Sequence, residues 1–123
     1  MIIGNSQLQK LPLSGSSGGR RIKVAATADP GTLIHAGPTD TAVIDEVWLD
    51  AYNSSASVVV LTIEWGSNTS PDDLIRYSVP PQAGLSLVIP GGILVGAASP
   101  LTIRAYAGTA NVLTIGGYVN RVQ

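Results

Sequence analysis

The sequence predicts an all-β domain, an antiparallel β-sandwich or jelly roll of about eight strands with an extended N-terminal arm. Two segments, TAVIDEVWLDAY (41–52) and VVVLTIEW (58–65), alternate with a period of two, as half-buried strands do. Clusters of Pro, Gly, Asn and Ser cut the rest of the chain into short pieces at regular intervals. No segment keeps a helical period long enough to compete. At 123 residues the chain fits one domain, divided into an arm and Gly/Ser linker at 1–19 and a sandwich at 20–123.

Taken in order, residues 14–19, SGSSGG, have the composition of a flexible linker. The apolar residues before it, Ile2, Ile3, Leu8, Leu11 and Leu13, point to an arm that docks elsewhere, on a partner or along a sheet edge. From Arg20 the pattern turns β-like: Ile22, Val24 and Ala26 share one face, a turn follows at Asp29-Pro30-Gly31, and Thr32 to Ala36 form a short apolar run. In 41–52, Val43, Asp45, Val47, Leu49 and Ala51 make a mostly core face, opposite a face of Ile44, Glu46, Trp48, Asp50 and Tyr52. Residues 53–57 read as a hairpin connection, so the strands on either side are expected to pair with each other. Residues 74–79 form a strand that Pro80-Pro81 ends. Four further short strands are expected at 84–89, 92–96, 100–106 and 111–119.

The stretch LSLVIPGGILVGAASPLTIRAY (85–106) has no charge before Arg104, but its prolines divide it into strand-length pieces rather than a membrane helix. Leu87, Ile89, Ile93 and Val95 can serve as core or as a subunit contact, and the same choice applies to Trp48 and Tyr52. The first residues lack the basic and continuous apolar regions of a secretion signal. No membrane association is expected.

Charged residues make up only 12% of the chain and the formal net charge is -1. So few charges protect a free monomer weakly against association, which favours a chain packed against copies of itself or another protein. Lys10, Arg20, Arg21 and Lys23 are four of the seven basic residues and precede every acid, so this end can meet an acidic neighbour. Beyond position 23 only Arg76, Arg104 and Arg121 are basic, too few for a phosphate-tracking stripe, and no direct nucleic-acid binding is expected.

Catalytic chemistry is sparse. There is no cysteine and one histidine, His35, so thiolate chemistry and a multi-histidine metal site within one chain are excluded. Asp45 and Glu46 fall on opposite strand faces, and Glu46 and Asp50 lie about 13 Å apart, wide for paired carboxylate catalysis. Pairing of these acids with Arg76 or Arg104 is the simpler expectation. Asp72-Asp73 lacks the ligand alternation of a calcium loop. Gly91-Gly92 and Gly116-Gly117 lack the phosphate-loop context, and GxSxG is missing. We expect no enzyme activity, cofactor or bound metal.

The segments DEVWLDAYNSSASVVVLTIEWG (45–66), IPGGILVG (89–96) and ANVLTIGGYVNRVQ (110–123) resemble small β-sandwich structural proteins of tailed-bacteriophage virions, most of all capsid decoration, or cement, proteins. The resemblance covers about two-thirds of the chain in style, without a unique motif. It implies a non-enzymatic protein on the outer surface of the capsid that bridges major capsid subunits, trimeric, with its arm on the major capsid protein. The arm contacts would then be Ile2, Ile3, Leu8, Lys10, Leu11, Leu13, Arg20, Arg21 and Lys23. Alternatives are a glycan-binding or host-recognition module of a tail, using the Trp48 face, and a tail or connector component.

Overall fold

The period-two pattern at 43–53 becomes a ten-residue strand whose odd-numbered residues face inward. The computed structural model describes residues 8–123, which form nine strands and, among the described residues, no helix. They are β1 (Leu8–Pro12), β2 (Ile22–Lys23), β3 (Thr32–Ala36), β4 (Ile44–Asn53), β5 (Val59–Gly66), β6 (Leu74–Val79), β7 (Ser86–Val95), β8 (Thr102–Ala107) and β9 (Leu113–Val122). One sheet has the order β1-β9-β4-β7, with β2 also on β9, and the other has the order β3-β8-β5-β6. All pairings are antiparallel. The chain is an all-β sandwich, as the sequence predicts.

The core is what the alternation supplies from both inner faces: Val47, Leu49 and Ala51 of β4 and Ile115 and Val119 of β9 meet Leu61 and Ile63 of β5 and Ile103 and Ala105 of β8. Strands β4 and β5 are therefore not a hairpin pair. They lie in opposite sheets and pack face to face, because each presents one continuous apolar face, and β4 takes its ladder from β9 over its whole ten-residue length. Buried Asn53 makes the crossing: its Nδ2 donates to the carbonyls of Ser57 at 2.7 Å and Val79 at 3.0 Å, and its Oδ1 accepts from Ser55. A side-chain amide thus satisfies backbone groups where the chain leaves one sheet for the other.

Two of the expected short strands are one. Pro90-Gly91-Gly92 is not a turn; β7 runs through it, with register shifts opposite Val47/Trp48 and Leu49/Asp50. Gly91 has φ of 85° and its α-carbon faces the Trp48 indole, a position open only to glycine. The shifts break the simple alternation, so Leu87 faces out while Ile89 is buried.

The expected arm is also shorter than residues 1–19. Leu8–Pro12 pairs with β9 in the register Leu8 to Val122 through Pro12 to Tyr118, and Leu13 is buried in the core. Six positions, the five paired residues and Leu13, thus bind to the protein's own sheets. Ile2 and Ile3 lie outside the described residues. Truncating Leu13 to alanine is expected to cost about 2–5 kcal/mol in urea unfolding, as for other buried leucines. Deleting residues 1–19 should destabilise the fold at least as much, because it removes β1 together with Leu13.

Candidate interaction face

The cross-strand registers set out the outer face of the β1-β9-β4-β7 sheet as rows. The first is Leu8, Val122, Ile44 and Val95; the second is Lys10, Asn120, Glu46 and Ile93; the third is Pro12, Tyr118, Trp48 and Pro90. A fourth places Gly116, Asp50 and Leu87 side by side. Read down β7 instead of across, the same grid gives Val95, Ile93, Pro90 and Leu87, a column without charge. Leu87, Ile93 and Val95 are 55%, 48% and 51% exposed, and Leu85, just before the strand, is more exposed still. These are large apolar side chains held in water along one edge of a sheet.

The charges on the same face are satisfied within the chain. Asp50 accepts from Arg21 at 2.6 Å, and the same guanidinium bonds the hydroxyl and carbonyl of Thr114. Glu46 accepts from Trp48 Nε1 at 2.8 Å and from Asn120 Nδ2 at 2.9 Å, and these two hydrogen bonds hold its carboxyl below the ordinary glutamate value. The Trp48 indole stacks on the Tyr118 ring with centroids 6.2 Å apart, and Lys10 Nζ stands 4.5 Å from the centre of that ring. Trp48 therefore has its N–H spent on Glu46, one face against Tyr118 and an edge against Gly91. It is a half-buried brace rather than a free aromatic platform.

Of the residues expected to make contacts, Leu8, Leu87, Ile93 and Val95 stand exposed on this face, and Tyr52 is half-buried. Ile89 and Leu13 belong to the core, Leu11 is half-buried in β1, Lys10 covers Tyr118 and Arg21 is held by Asp50. Arg20 and Lys23 are exposed. The acids do not pair with Arg76 or Arg104 as expected. Their partners come instead from β9, from β3, from β4 itself and from the segment before β2.

A second charged cluster lies beneath this face. Asp45 of β4 is wholly buried between the sheets, where Arg121 of β9 grips both of its oxygens at 2.7 and 2.9 Å and His35 of β3 approaches Oδ2 at 2.7 Å. A bulge at Ile34 turns both Ile34 and His35 inward and so aims the imidazole across the sandwich. His35 Nδ1 accepts from the backbone N–H of Ser14 at 3.0 Å, so Nε2 carries the proton and donates to Asp45. The Ser14 hydroxyl accepts from Ala36 N–H. Ser14, His35 and Asp45 are thus together, but with both ring nitrogens occupied and no hydroxyl on the imidazole, and they act as a clamp between the sheets.

Burial pushes the Asp45 carboxyl upward, yet the hydrogen bonds from Arg121 and His35 and the guanidinium charge outweigh it and hold it below the ordinary value of 3.8. Because the folded value is depressed, this carboxylate adds stability above pH 3.8 that is lost as the pH falls through the folded value. No match to this chain is found among protein-family models, curated protein sequences or solved structures.

Asp45→Ala is expected to cost about 3–5 kcal/mol at neutral pH, because it leaves a partly buried guanidinium without its partner. Chemical unfolding of the wild type and the variant at pH 7 and pH 3 checks this. The difference between them should shrink at the lower pH.

Proposed function

We propose that this chain is a non-enzymatic structural protein of a virion, which decorates and stabilises a capsid from its outer surface by bridging major capsid subunits. The observation that carries the reading is the uncharged column of Leu87, Pro90, Ile93 and Val95 beside a face whose carboxylates are already paired. Covering such a surface removes apolar area from water and displaces few unsatisfied charges, so its desolvation cost is low. The likeness of 45–66, 89–96 and 110–123 to tailed-phage virion modules supplies the class of assembly, and the face supplies the contact between copies within it.

Contact is made through side chains rather than by adding a strand to the sheet. Pro90 removes a backbone donor from the middle of edge strand β7, and the register shifts on either side of it bend the ladder. The β7 column is assigned to contacts between copies within a homotrimer. Residues 1–7, exposed Leu8, Arg20 and Lys23 are assigned to the major capsid protein. Interfaces of about 1,000 Å², repeated over a shell, hold a decoration layer firmly even where each is weak.

The triple variant Leu87→Lys, Ile93→Lys, Val95→Lys is expected to keep the wild-type circular dichroism spectrum and to run as a monomer in light scattering, where the wild type runs as a trimer. A variant trimer would overturn the assignment of the column. Deleting only residues 1–7 should leave the oligomer intact and lower occupancy on capsid shells in co-sedimentation. Unchanged occupancy would remove that segment from the attachment surface.

A further inference from the structure

Glu64 is the one charged residue of β5, and it points to the outer face of its sheet, where a carboxylate is expected in water. Instead it is only 3% exposed. What covers it is the loop between β2 and β3. Ala26 accepts from Ala107 N–H at 3.0 Å, and Gly31 sits so close on the backbone of Ala105 that a side chain there would lie 2.6 Å from it. Gly31 N–H donates to Glu64 Oε1 at 2.7 Å. The other oxygen, Oε2, is buried and has no donor.

Arg104 is the cross-strand partner of Glu64, the natural place for an ion pair. It gives Nη1 to the Gly31 carbonyl at 3.1 Å instead, and no ion pair joins it to Glu64 among the described residues. Asp29, from the covering loop, lines the same cavity as Glu64, and both of its oxygens accept from Asn68 Nδ2, at 2.9 and 3.1 Å. A buried carboxyl oxygen with no donor, beside a carboxylate that is fixed in place, is satisfied if the buried group brings its own proton.

We propose that Glu64 and Asp29 bind one proton between them, and that this shared proton is a latch that fastens the loop at 26–31 to the outer face of the β3-β8-β5-β6 sheet. Glu64 is the donor through Oε2 and Asp29 the acceptor. Loss of the proton sets two negative charges, buried Glu64 and exposed Asp29, across an open cleft of about 160 Å³ that is also lined by Pro30, Ser67, Asn68 and Arg104, and the loop lifts. Each element around Glu64 has a defined charge: Arg104 on β8, Asp29 on the loop, uncharged Leu74 opposite on β6, and Arg76 one register step away, facing Thr62. Asp73, beyond β5, is engaged with Thr69 N–H.

The titration directions agree with this division of roles. Burial, and then the bond to Asp29, raise Glu64 above its ordinary 4.5 against the opposing pull of Gly31 N–H and Arg104, while the bonds from Glu64 and Asn68 lower Asp29 below 3.8. A raised acid contributes stability that is complete below 4.5 and lost as the pH rises through its folded value. A lowered acid contributes stability above 3.8 that is lost as the pH falls. The singly protonated pair is the state both directions favour.

Glu64→Gln separates the latch from a plain packing role, because its amide donates permanently to Asp29 while its oxygen still accepts from Gly31. Melting temperatures and amide exchange at Gly31 are measured from pH 4.5 to pH 9 for both proteins. The wild type should lose on the order of 5 °C across the Glu64 titration while Gly31 exchange rises above the rate set by base catalysis alone, and Glu64→Gln should show neither change. Asp29→Asn, which removes the repulsion but leaves Glu64 buried, should reduce the loss without abolishing it. Wild-type profiles that are already flat, or a Glu64→Gln profile that follows the wild type, would overturn the latch. So would a rise in wild-type melting temperature on adding calcium at pH 8 that Glu64→Gln does not show, since the seat would then hold a cation rather than a proton.

Discussion

Everything in this sandwich is organised around a carboxylate that has no access to water. Asp45 occupies an inward position on β4, in the plane where the two sheets meet, and a lone ionised group there carries a cost of several kcal/mol. The fold resolves this by bringing three separate chain segments to one point. Arg121 arrives from the end of β9, directly opposite Asp45 in the ladder, and His35 arrives from the other sheet. Ser14 then fixes the imidazole from behind. The clamp joins the start of the chain, both sheets and its last strand. A protein without disulfides or a resident metal site among its described residues thereby ties its terminal strands to its middle.

How much of this was legible in the sequence depends on whether a residue's direction follows from counting by twos. The inner and outer faces of β4 follow the count without exception, so Asp45 is predicted inward and Glu46, Trp48 and Asp50 outward. β6 begins and ends where its flanking Asp-Asp and Pro-Pro pairs say it should. His35 does not follow, because the bulge at Ile34 places two consecutive residues on one face. The same holds for β7, where two register shifts put Leu87 and Ile89 on opposite sides. Bulges are backbone events with no side-chain pattern of their own. A glycine next to a proline marked the place on β7 but read as a turn.

Pairing partners were less legible than faces, for a different reason. A short polar connection suits either a hairpin within one sheet or a crossing between two, and 53–57 was expected to be the first. Buried Asn53, which bonds the carbonyls of Ser57, just ahead of β5, and of Val79, the last residue of β6, is the residue that distinguishes the two, and its role depends on contacts 4 and 26 positions away. The candidate face was partly visible. Its exposed apolar residues on β7 lay within the part of the 85–106 stretch that precedes its one charge, Arg104, but the grid that lines them up with Leu8 and Val122 exists only through β9, which β1 and β4 flank on either side.

The acids show why this surface suits assembly. Four of them sit on strands and each is quieted by different means: Asp45 by a partly buried guanidinium and a buried imidazole, Glu46 by two neutral donors, Asp50 by Arg21 at the rim, and Glu64, on the other sheet, by the loop that covers it. Asp40 and Asp72, by contrast, are exposed in loops. The first sheet's flat face therefore offers apolar side chains beside carboxylates that already have donors. A face of this kind gains little from electrostatic steering and much from area, so its affinity comes from close fit and repetition. A chain with 12% charged residues has little charge with which to resist such contact, so the exposed apolar column is the part of this face where burial gains most.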